Sequence, residues 1–228
     1  MPINRKKNTK PAEVAPVPPA QPVKDEEEGE TQIIPFDLLQ AMMSNGKQDD
    51  SLEARGIIFL DKEINSMTVG HIIKRIMSLH FNPDFKDSIQ LILNSPGGST
   101  DAGWALIDVM AWVKNPVRTI ALGEICSMAT SIFISGDERV MGSNALAMIH
   151  QFSWGRAGNY SELVASRKAE DLQDKMDIKH LIKHSKYKTE ADVRKHLLQD
   201  TDNWLSPEEM KKHGLCDRVL SATTRRKK

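Results

Sequence analysis

The sequence predicts an α/β protein with a mainly parallel sheet covered by helices. Two observations carry that expectation: apolar, strand-like runs alternate with helix-length segments, and the first helical segment shows a one-sided apolar face. Gly56–Leu60 reads as a buried strand. Thr68–Leu79 reads as a helix, because Val69, Ile72, Ile73, Ile76 and Met77 fall on one face. Ser88–Leu93 is the next strand, Thr100–Val113 the next helix with Thr100 or Ser99 as N-cap, and Arg118–Leu122 the third strand. This βαβαβ order implies right-handed crossovers. A short helix from Met128 follows, then strands near Arg139–Met141 and Leu146–Ile149, and a long helix over about Ser161–His184. Two shorter helices, Glu190–Leu198 and Pro207–His213, precede a last strand at Asp217–Leu220. There is no internal repeat.

The chain has 228 residues, enough for one domain with a real core plus a tail. Residues 1–51 are expected to form a Pro- and Glu-rich tail and linker, 52–221 the compact domain, and 222–228 a basic C-terminal tail. The first ten residues are basic but no apolar stretch follows them, and no apolar run approaches the roughly 18 residues of a membrane span. A soluble, cytoplasmic protein is the expectation, without a membrane partner. Thirty-one basic residues balance thirty-one acidic ones, so no global field argues for nucleic acid. Cys126 and Cys216 show neither disulfide nor metal spacing. His180 and His184 share a helix face at i, i+4 but lack an HExxH setting, which favours a solvated face beside Lys179 and Lys183 over a zinc site.

Four stretches carry chemistry. Asn94-Ser95-Pro96-Gly97-Gly98-Ser99 joins a strand to a helix, where two glycines permit a sharp turn with bare N–H groups; it is either a plain turn or an anion cradle. Ser127, in Gly123-Glu124-Ile125-Cys126-Ser127-Met128-Ala129, follows an apolar strand and opens a helix. It reads as an N-cap or as a nucleophile, with the Met128 N–H available to a developing oxyanion. Position 125 is Ile, so this is not a GxSxG elbow. His150 ends the run Ala145–Ile149 at a strand terminus, as a structural histidine or a base facing a cleft. Asp200 and Asp202 follow a helix, where a turn or cap role is the ordinary one.

Taken together, LILNSPGGSTDAGWALIDVM, ICSMATSIFISG, SNALAMIHQ and DTDNWLSPEEMKKHGLCDRVL, in that order, resemble the Clp protease proteolytic-subunit family over about Gly56–Leu220. The resemblance implies a fold related to the crotonases, with the long helix in a protruding handle, and a serine endopeptidase needing no cofactor. By it, Ser127 matches the nucleophile, His150 the base, and Gly98 and Met128 the oxyanion-hole donors. Anchoring a short deletion on Trp204-Leu205-Ser206 puts Asp202 on the acid, with Asp200 as second choice. It further implies a homo-oligomer of rings, stacked in pairs, that encloses the sites, acts on proteins or peptides, and receives them from an AAA+ unfoldase, the only route by which ATP enters.

Departures accompany the match. Thr201 stands where the family usually has an arginine that pairs between rings, Phe152 where it has proline, and Ser44–Asp50 looks inserted. Three other functions compete: a dedicated processing peptidase, for example in viral capsid maturation, a non-catalytic assembly subunit, and a crotonase-type hydratase or isomerase. The last would not need Ser127, His150 and Asp202 at triad positions.

Overall fold

The computed structural model describes residues 52–151, 155 and 157–220, within one compact unit, Ser44–Lys228. The tails expected at 1–51 and 222–228 lie outside the described residues. In chain order the elements are β1 (Ile57–Leu60), α1 (Ser66–Phe81), β2 (Ile89–Ser95), α2 (Thr100–Trp112), β3 (Val117–Cys126), α3 (Met128–Ile134), β4 (Glu138–Gly142), β5 (Leu146–Ile149), α4 (Tyr160–His184), α5 (Glu190–His196), β6 (Asn203–Leu205), α6 (Pro207–Lys212) and β7 (Arg218–Leu220).

The fold is α/β, with a sheet ordered β1-β2-β3-β4-β7 in which every neighbouring pair is parallel. Parallel strands need crossovers, and α1 and α2 supply them between β1, β2 and β3. α1 buries Val69, Ile72, Ile76 and Leu79, four members of one helical stripe, against a sheet whose Ile58, Leu60, Ile89, Leu91 and Leu93 are themselves buried. An Asn65–Thr68 capping box starts α1 two residues earlier than the apolar periodicity indicates. Ser99 caps α2 by accepting from the Ala102 N–H.

β3 organises everything that follows, because it is ten residues long and serves two neighbours besides β2. Arg118–Ala121 pair with β4, whereas Glu124–Cys126 pair with β5. Between these halves the register with β2 shifts: Leu93 faces Ala121, but Ser95 faces Ile125. Gly123, at φ 70°, carries the turn, and the Asn94 side chain accepts from the Glu124 N–H at 3.1 Å. The sequence reading ended this strand at Leu122; the bulge interrupts the apolar alternation there, and the strand resumes beyond it.

β5 continues antiparallel into β6, a three-residue strand absent from the sequence reading. A segment this short carries too few alternations to register as a strand. α4 starts from an Asn159–Glu162 capping box and buries Ile178, His180 and Leu181 only near its C-terminus, leaving Leu163, Val164, Leu172 and Met176 exposed. The solvated face expected for His180 is therefore corrected. Its ring is buried edge-on to Trp104, 4.5 Å from the His184 ring, and its Nε2 donates to the Ser131 carbonyl at 3.0 Å. Arg139 of β4 closes this end, donating to the His184 and Gly214 carbonyls and to the Asp217 carboxylate.

Candidate active site

Strand register determines which side chains meet. β3 and β5 run parallel with Cys126 opposite Met148, so the residues just beyond, Ser127 and His150, leave the sheet at the same edge. The Ser127 N–H donates to the Met148 carbonyl at 2.8 Å, which locks the two strand ends together. Thr130 reinforces the junction, its hydroxyl lying 2.9 Å from the Ile125 carbonyl and 3.1 Å from that of Met148. His150 Nε2 then lies 2.8 Å from Ser127 Oγ.

Ser127 occupies φ 55°, ψ −123°, and among the described residues it alone combines a side chain with positive φ. Such a conformation costs about 1–3 kcal/mol and persists only where its surroundings enforce it. Here the enforcing groups are the Met148 carbonyl on one side and the first turn of α3 on the other, where Thr130 N–H donates to the Ser127 carbonyl at 2.9 Å. Although Ser127 holds the N-cap position of α3, its hydroxyl makes no capping hydrogen bond. The N-cap alternative thus fails on geometry: the hydroxyl is turned to the histidine.

The glycine turn lies directly against this serine. A Cβ on Gly97 would approach the Cys126 carbonyl oxygen to 2.5 Å and Ser127 Cβ to 2.9 Å. Gly98, at φ 144°, is clamped by Ile64, whose N–H donates to the Gly97 carbonyl and whose carbonyl accepts from Ser99, each at 2.8 Å. In that bridge the polar groups of Gly98 itself point away from Ile64. Met128 is the first residue of α3, where N–H groups have no intrahelical acceptor. Among the described residues, neither the Gly98 nor the Met128 N–H donates to another group. Two free donors therefore flank the serine, at the end of a helix that favours negative charge.

The two aspartates differ in position. Continuing the β5–β6 register one residue past Ile149↔Asn203 sets Asp202 opposite His150. Asp200 falls two residues farther along, and both are exposed. Among the described residues no hydrogen bond joins His150 to either carboxylate, but Asp202 is close enough to Cys126 to act on its thiol. Burial first, then Glu124 and Asp202, push that thiol up to about 11, so Cys126 is protonated at neutral pH and a poor rival nucleophile. Among the described residues no three His, Cys, Asp or Glu side chains gather as a metal site, and no helix is long and apolar enough to cross a membrane.

A cleft opens beside the Ser127–His150 pair, walled by Thr100, Met128, Thr130, Ile149, Leu181 and Leu198, with Asp174 and Asp177 of α4 also facing it. The sequence reading missed these α4 residues, since only the tertiary fold brings that helix to the serine. Their spacing with Leu181, i, i+3 and i+7, was the available signal.

A Clp protease family model matches residues 44–223. The chain belongs to the Clp protease family. A relative from Deinococcus radiodurans, described as an ATP-dependent Clp protease proteolytic subunit, is 36% identical over 172 residues, covering 73% of this chain and 81% of the relative. The family is one of serine-type peptidases, and a serine hydroxyl at 2.8 Å from an imidazole nitrogen is the pairing that such chemistry requires.

Proposed function

We propose that this chain is a serine endopeptidase in which Ser127 is the nucleophile, His150 the general base and Asp202 the acid that orients the imidazole. The observation that carries the proposal is the 2.8 Å contact between Ser127 Oγ and His150 Nε2, made by a serine held in a strained backbone conformation. Ser127 Oγ attacks the substrate carbonyl as His150 Nε2 takes its proton. The resulting oxyanion receives the Gly98 and Met128 N–H groups, and His150 then returns the proton to the leaving amine. Asp202, opposite His150 by register, closes on Nδ1 and stabilises the imidazolium as it forms.

The setting follows from the family. The Deinococcus relative is described as a subunit and as ATP-dependent, which supports a cytoplasmic homo-oligomer that encloses its sites and receives unfolded protein or peptide substrates from an AAA+ unfoldase. The peptidase subunit itself uses no cofactor. The decisive experiment is labelling of the full chain with a fluorophosphonate, read by intact mass and peptide mapping. A single adduct on Ser127 is expected, because only a serine activated by a neighbouring base reacts readily. An adduct elsewhere, or none in the assembled protein, overturns the mechanism.

A further inference from the structure

We infer that the cleft beside Ser127 selects substrates carrying a lysine or arginine at the residue whose carbonyl is attacked, with Asp177 as the carboxylate that receives the cation. The inference rests on the serine peptidase reading and adds the substrate class.

The cleft opens directly onto the reaction site. It shares Ser127 and His150 with the reaction site, so the side chain adjoining the scissile carbonyl is the part of a substrate that enters it. Met128, Ile149, Leu181 and Leu198 give it apolar lining that suits a stem of methylenes, interleaved with the neutral polar groups of Thr100, Thr130, Ser131 and Gln151. Charge appears on one side only, on α4, where Asp174 and Asp177 stand one turn apart with Leu181 beyond. Apolar lining with carboxylates on one side complements a long aliphatic side chain with a cationic head.

The two aspartates are not equivalent. Asp174 is already paired, its Oδ2 lying 2.5 Å from Arg194, which also holds Glu190 at 2.9 Å. Asp177 has no cationic partner among the described residues; its recorded contact is a weak hydrogen bond from Gln173 at 3.4 Å. Burial raises its carboxyl to about 6, the Gln173 contact opposing and Asp174 adding to the rise. A half-buried carboxylate with no cation is costly to keep ionised, and an incoming ammonium or guanidinium relieves that cost. An apolar side chain leaves it uncompensated.

The test compares kcat/KM of the full chain on short peptides that differ only at the residue before the cleaved bond: lysine, arginine, leucine and methionine. Short peptides remove the need for an unfoldase. The wild type is expected to favour lysine and arginine, and Asp177→Asn to lower the basic-to-apolar ratio by about tenfold or more, through lost cleavage after lysine and arginine. Asp177→Glu should retain the basic preference, a rescue that a purely structural role would not give. Fluorophosphonate labelling of Ser127 runs in parallel on each variant. Labelling with a wild-type preference for apolar residues, or with a ratio unchanged in Asp177→Asn, overturns this inference alone. Loss of labelling and of all peptide cleavage in the wild type overturns the peptidase reading instead.

Discussion

At the scale of single residues, the Ser127 hydroxyl faces His150 because two strand ends and one helix start hold its backbone in a conformation it would otherwise avoid. Ser127→Ala removes the attacking oxygen and leaves those restraints intact. Peptide turnover should fall by several orders of magnitude, comparable to the roughly 10⁶ loss seen for serine-triad knockouts, with an unchanged circular dichroism spectrum. Cys126→Ala should stay active, since its thiol is buried and protonated. For the acid, Asp202→Asn should cost far more activity than Asp200→Asn. Equal or reversed losses, measured as kcat/KM on one peptide, would remove Asp202 from its role. The segment-boundary positions of Ser127 and His150 were legible from sequence, but alone each also read as a cap or a structural histidine, and only the family resemblance paired them. The choice between the aspartates was less legible, because it depends on a register that only β6 supplies.

Among the elements, the junction of β3, α3 and β5 positions the site, and Thr130 bridges it with one hydroxyl shared between two carbonyls. Thr130→Val keeps the shape but removes the hydroxyl from both carbonyls; the Met148 carbonyl keeps the Ser127 N–H, so the cost is about 0.5–1.5 kcal/mol. A lowered melting temperature and weaker fluorophosphonate labelling are expected together; a variant as stable as wild type would show the bridge to be dispensable. The contact between α3 and the C-terminal end of α4 should be sensitive to acid. Burial, then His180, Lys183 and Arg139, lower His184 from 6.5 to about 4, and burial lowers His180 as well. Both rings stay neutral in the folded chain while the unfolded chain protonates them below about 6.5. At these two rings the unfolded state therefore binds more protons in this window, so they should cost stability as pH falls from about 6.5 towards 4, while Asp177, raised to about 6, acts in the opposite sense. Urea unfolding at pH 7 and pH 5 measures the decline, and His184→Gln should reduce it. The strands and helices were readable from their periodicities, whereas this histidine pair was not: an i, i+4 spacing does not reveal which face a helix turns inward.

For the whole molecule, α4 is the element that a monomer leaves incompletely used. Its first turns expose Leu163, Val164 and Leu172, and the helix carries no buried residue before Ile178. An apolar arm of this kind is suited to lateral or face-to-face packing of identical subunits. Thr201, an exposed neutral hydroxyl, cannot supply the bidentate, charge-assisted contact of an arginine. Size-exclusion chromatography with light scattering should accordingly show single rings exchanging with double rings as concentration changes. A fully active monomer at every concentration would refute the assembly. The α/β class and parallel sheet were legible from the βαβαβ order, because each crossover is local in sequence. Assembly is not local, and only the unburied length of α4 hints at it.

The bulge in β3 makes chain length, rather than side-chain identity, the inherited quantity in this segment. Between Leu93 and Ser95 the partner strand advances two residues while β3 advances four, an even excess that returns Ile125 to the buried face. Leu122 and Glu124 are exposed, so replacing either disturbs little. Deleting one residue there changes the parity: every later side chain of β3 switches face, and the serine hydroxyl departs from the imidazole. Insertions and deletions of a single codon at 122–124 should thus be as damaging as loss of Ser127 itself, whereas side-chain exchanges at Leu122 and Glu124 should be nearly silent.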